Sequence, residues 1–72
     1  MPLSSCRVGR YIVKSINLPS ELCARLNSLG VAEGKTIVVH VVTRGGVVIS
    51  ADSCPFGLSN NIAVGILAEY ER

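Results

Sequence analysis

Branched apolar residues gather in short runs along this chain, and each run is bounded by glycine, proline or small polar residues. The first, Val8 to Ile16, mixes valine, isoleucine and tyrosine with Arg10 and Lys14 in rough alternation, which predicts a strand kinked near Gly9. The next run changes period. Leu22, Leu26 and Leu29 recur at i, i+4 and i+7 behind Pro19 and Glu21, which predicts a helix. Proline is tolerated in a first turn, glutamate complements the positive end of the dipole, and Gly30 beyond the last leucine suits a left-handed cap. Lys35 to Thr43 returns to strand composition, entered through Gly34 and left through Arg44-Gly45-Gly46, a tight-hairpin signal. Val47 to about Asp52 is the return strand. A loop punctuated by Pro55 and Gly57 follows, then a short helical turn that Ser59 is placed to cap, and a last strand from about Gly65 to Tyr70.

Period-two geometry puts Ile37, Val39 and Val41 on one face of the third segment and Val38, His40 and Val42 on the other. Both faces are apolar. A strand with one solvated face needs only one, so the second calls for a cover: the leucine helix, another copy of the chain, or a partner protein.

Composition supports the strand-rich reading. Apolar residues make up 49% of the 72, and sixteen of them are valine or isoleucine, whose branched side chains pack best on a pleated sheet. Residues 1–72 are enough for a single domain and not for two. The net charge of +2 is too small, and the three aromatic residues too few, for a protein dedicated to nucleic acid. The longest apolar stretch, Ile37 to Val42, falls far short of the roughly 20 residues that cross a bilayer. Leu3-Ser4-Ser5-Cys6 superficially suits a lipoprotein cleavage box, but no basic segment and no apolar core precede it, so no signal peptide is expected.

Chemistry has few places to sit. Cys6, Cys23 and Cys54 form an odd set at unequal gaps, neither a disulfide framework nor a metal knuckle, and read as buried thiols in a reducing cytoplasm. For a transition metal, His40, Asp52, Cys54 and either Cys23 or Cys6 are suitable ligand types in no known spacing, and Asp52 and Cys54 point the same way only if the strand persists through Ser53. A single histidine flanked by valines announces no nucleophile arrangement. No phosphate-binding glycine loop is present, and Glu21, Glu33, Asp52, Glu69 and Glu71 lie too scattered for an acid and base pair. No catalytic activity and no cofactor are expected.

The segment Arg25 to Val39, with its leucines, Gly30, Gly34 and Ile37-Val38-Val39, resembles the helix-to-strand signature of the small FeoA-type ferrous iron transport proteins. Met1-Pro2-Leu3, Val8-Gly9, and the closing Leu58, Ala63 and Ile66 sit at similar spacings, so the likeness runs over nearly the whole chain. Glu33 stands where that family often has proline, and Ser59 where a basic residue often follows the closing leucine.

The resemblance implies a mainly β, SH3-like barrel with one α-helix packed across it and a short C-terminal helical turn. It also implies a cytoplasmic, non-catalytic accessory of bacterial ferrous iron uptake that docks on the membrane transporter FeoB. The same domain is similar to the C-terminal SH3-like domain of iron-dependent repressors, which is an interaction module. The competing reading is a small iron or zinc carrier or sensor. On the docking reading the partner-binding residues are Arg25, Leu26 and Leu29 on the helix and turn, with Arg44 at the hairpin tip, and a homodimer through the second apolar face of Val38, His40 and Val42 or through a sheet edge is the further expectation. Arginine and desolvated apolar anchors carry most interface energy.

Overall fold

A computed structural model describes residues 1–52 and 54–71. The branched runs form five strands: β1 Gly9–Ile16, β2 Thr36–Val42, β3 Gly46–Ser50, β4 Phe56–Ser59 and β5 Ile66–Tyr70. They make one antiparallel sheet in the order β4-β3-β2-β1-β5. Helix α1, Ser20–Ser28, connects β1 to β2, and the four-residue α2, Asn60–Ala63, connects β4 to β5. A 3-10 turn at Leu3–Ser5 packs against α2, β3 and β5. This is the mainly β, SH3-like architecture expected, with the helix between the first and second long strands.

Inward positions of the strands supply the core. Val13, Ile37, Val39, Ile49 and Ile66 are fully buried, and Leu3, Leu26, Val31, Leu58 and Ala63 join them from turns, α1, β4 and α2. Leu58, Ala63 and Ile66, the closing residues of the family pattern, are all among them. The two edges of the sheet differ. Met1 and Ala68 exchange hydrogen bonds, with the Met1 ammonium donating to the Ala68 carbonyl at 3.0 Å and the Ala68 N–H donating to Met1 at 2.8 Å. Pro2 bridges Leu67, so the β5 edge is covered and β4 is the strand left with one neighbour.

The helix ends as its glycine predicts. The Gly30 N–H donates to Asn27 at 3.0 Å and the Val31 N–H to Leu26 at 2.9 Å, with Gly30 at φ +91°. That is the paired-bond left-handed cap, closed by contact between two buried residues, Val31 and Leu26. Pro19 is the N-cap rather than a residue of the first turn, and its carbonyl accepts from Cys23 at 3.0 Å.

Several expectations need correcting. β4 falls where Pro55 and Gly57 predict a loop: proline precedes it and glycine interrupts it, both of which mark non-strand in a sequence. β3 stops at Ser50, so no strand aligns Asp52 with Cys54, and Ser53 lies outside the described residues. Val39 pairs with Ile49 and Val41 with Val48, which leaves His40 as the extra residue of a β-bulge. The bulge ends the alternation, so Val41 is 47% exposed instead of sharing the core with Ile37 and Val39, and Val42 is 44% exposed beside it. The hairpin glycines also act differently from expectation: neither has a positive φ. Gly45 has open space around it, whereas a Cβ on the buried Gly46 would collide with the Leu58 carbonyl of β4.

Candidate docking site

The leucine stripe does two jobs. Leu26 at its centre is 4% exposed and belongs to the core, while Leu22 and Leu29 on either side are only half-buried. A nine-residue helix packed on so small a sheet buries one turn of its apolar stripe and leaves the flanks short of partners. Those flanks face β4 and α2 across a groove of about 190 Å³, whose opposite wall is Phe56, Leu58 and Ile62. Arg25, exposed, lines the same groove and is its one charged residue.

Two glycines set the walls at this separation. A Cβ on Gly30 would lie 3.0 Å from an Asp52 carboxylate oxygen and 3.1 Å from the Asp52 backbone nitrogen, so the end of α1 rests directly on the segment leading to β4. At Gly46 the missing side chain lets β4 lie against β3, in the register Gly46 to Ser59 through Ile49 to Phe56. The ion pairs among the described residues, Arg10 with Glu71 and Lys14 with Glu69, leave Arg25 out. Among the described residues no carboxylate lies within ion-pair distance of its guanidinium.

Of the residues singled out from sequence, the structure gathers Arg25, Leu26 and Leu29 in this groove. Arg44 lies outside its lining, at a turn held by Asn60. The Asn60 side-chain amide donates to the Arg44 carbonyl at 2.6 Å and its backbone N–H to the Gly45 carbonyl at 3.1 Å. Sequence reasoning missed the facing wall. Phe56, an aromatic residue stranded in a stretch punctuated by proline and glycine, was the available signal.

The metal-type ligands do not come together. Among the described residues no three His, Cys, Asp or Glu side chains gather. The exposed His40 ring shares a 2.6 Å hydrogen bond with Ser50. Cys6 is buried with its thiol donating to the Pro2 carbonyl at 3.5 Å, and burial pushes that thiol's pKa up. Cys23 is half-buried, its thiol donating to the Leu18 carbonyl at 3.4 Å. Cys54 is exposed, contrary to the reading of all three as buried thiols.

The family model of the FeoA domain matches residues 1–70. The chain belongs to the FeoA domain family. Membership places this FeoA domain in ferrous iron transport. A crystal structure of an iron uptake regulatory protein, FeoA, superposes with a TM-score of 0.83 at 27% identity, covering 94% of this chain and 93% of that one. The solution structure of FeoA from Chlorobium tepidum shares the fold, with a TM-score of 0.85 at 23% identity over 97% of this chain and 70% of that one. No curated protein matches the chain by sequence. No helix of this FeoA domain is long and apolar enough to cross a membrane.

Proposed function

We propose that this FeoA domain works in the cytoplasm as a non-catalytic accessory of ferrous iron uptake, docking on the membrane transporter FeoB through the groove between α1 and β4. The observation that carries the reading is the groove itself: half-buried leucines and a phenylalanine line it together with one arginine that has no ion-pair partner among the described residues. A partner that fills it removes apolar surface from water and supplies an anion to Arg25, the combination that concentrates binding energy in a few residues. Leu29 and Arg25 are the accessible anchors, and Leu26 forms the floor. Arg44 lies outside the groove lining, and its link to the site is indirect: α2 carries both Asn60, which holds the Arg44 carbonyl, and Ile62, which lines the groove.

The test is a titration of the protein with the purified cytoplasmic portion of FeoB from the same organism. Arg25→Glu reverses an exposed charge and leaves folding intact, so binding should weaken by at least about 1 kcal/mol with an unchanged melting temperature. Wild-type affinity in that variant would remove the groove from the interface.

A further inference from the structure

The groove has a backbone wall as well as side chains. The Thr43 N–H donates to the Gly46 carbonyl at 2.8 Å, and the Gly46 N–H donates to the Thr43 hydroxyl at 3.2 Å. Gly46 thus turns its peptide groups toward β2. Successive residues of a strand direct these groups to opposite sides, so Val47 and Ile49 turn theirs toward β4. They stand opposite Leu58 and Phe56, which leaves the N–H and carbonyl of Gly57, between them, facing away from the sheet. Among the described residues no backbone group outside the sheet bonds Gly57, and Gly57 lines the groove. Gly57 is itself exposed, and a Cβ there would meet nothing closer than the Val47 carbonyl at 4.0 Å, so the sheet face beside it is open as well.

From this we infer that the groove takes its partner as an added β-strand: an extended segment that pairs with Gly57, sets apolar side chains against Leu22, Leu29 and Phe56, and brings a carboxylate to Arg25. An open strand edge offers donors and acceptors in register only to another extended chain, whereas a helix satisfies its own and leaves Gly57 bare. Arg25, without an ion-pair partner among the described residues, selects for an acidic residue in that segment. The inference rests on the docking reading and adds how the partner binds.

Gly57→Pro separates the two. Proline removes the outward N–H and no ladder bond of β3, and edge strands tolerate it. The experiment titrates wild type and Gly57→Pro with the cytoplasmic portion of FeoB, and follows backbone amide exchange by NMR in the wild-type protein with and without it. Strand addition predicts that Gly57→Pro binds about tenfold more weakly, the effect of one lost interface hydrogen bond, and that the Gly57 amide of the wild type becomes protected on binding. Because the exchange measurement uses the unaltered chain, a misfolded variant does not decide the matter. Binding without protection at Gly57 overturns strand addition and leaves the docking reading standing. Absence of binding overturns both. Protection that grows with protein concentration alone makes the occupant a second copy of this chain and overturns the partner assigned here.

Discussion

Two neighbouring glycines in one hairpin should respond oppositely to the same substitution. An added Cβ at Gly46 falls on the Leu58 carbonyl, 2.9 Å from its carbon and 3.0 Å from the Ser59 Cα. All three obstacles are backbone, so no side chain can swing aside, and β4 must move off β3. Overpacking of this kind costs about 1–3 kcal/mol. Loosening the ladder between β3 and β4 adds roughly 1 kcal/mol for each hydrogen bond lost. A total near 3–4 kcal/mol is large against the roughly 4–11 kcal/mol expected for a domain of this length. In a small domain each kcal/mol shifts Tm by about 4–8 °C, so Gly46→Ala should lower it by roughly 12–30 °C. Gly45→Ala has nothing within 4 Å and no positive φ to oppose it. By restricting the unfolded chain it should leave Tm level or slightly higher. Thermal unfolding followed by circular dichroism compares the two. A Gly46→Ala variant melting within a few degrees of wild type would refute the close approach of β4 to β3, and with it the position of one groove wall.

Leu26→Ala, in the core, should destabilise by about 2–5 kcal/mol, while Leu22→Ala and Leu29→Ala, each half-buried, should cost clearly less in urea unfolding. Native thiol labelling read by mass spectrometry should modify Cys54 first, Cys23 slowly and Cys6 only on unfolding; early modification of Cys6 contradicts its burial. Because the folded state holds the Cys6 thiol protonated, its contribution to stability is complete below the ordinary thiol range and is lost as pH rises from there through the raised folded value. Cys6→Ala should flatten that alkaline decline in a series of urea melts. Val8, Val41 and Val42 are exposed, and Val8 and Val42 share a surface hollow, so the chain should self-associate at high concentration and Val42→Lys should abolish this. A monomer throughout in ultracentrifugation contradicts that expectation.

Strand runs, the leucine helix and its Gly30 cap were readable because each follows from local chemistry: period, propensity and the φ that only glycine adopts cheaply. The family pattern was readable for a related reason. Leu26, Gly30, Ile37, Val39, Leu58, Ala63 and Ile66 are core and cap residues, so the pattern reports the fold. It says little about the surface, which explains why only half of the groove was found. Leu22, Leu26 and Leu29 announce themselves on one helix, but whether a given leucine is core or groove depends on what faces it. What faces it is β4, a strand made by pairing with β3 against its own proline and glycine. Likewise the bulge at His40 comes from register, and it alone decides that Val41 points to solvent. The role of Gly46 is tertiary too, since its obstacle is a carbonyl twelve residues away in the chain.

The proposed interface between this FeoA domain and FeoB is the surface between α1 and β4. NMR chemical-shift changes on addition of the transporter's cytoplasmic portion map it residue by residue. Docking there perturbs Leu22, Arg25, Leu29, Phe56, Gly57 and Ile62 and leaves His40 and Val41 unmoved. Perturbations centred on His40, Val41 and Val42, with the groove residues unchanged, would contradict it.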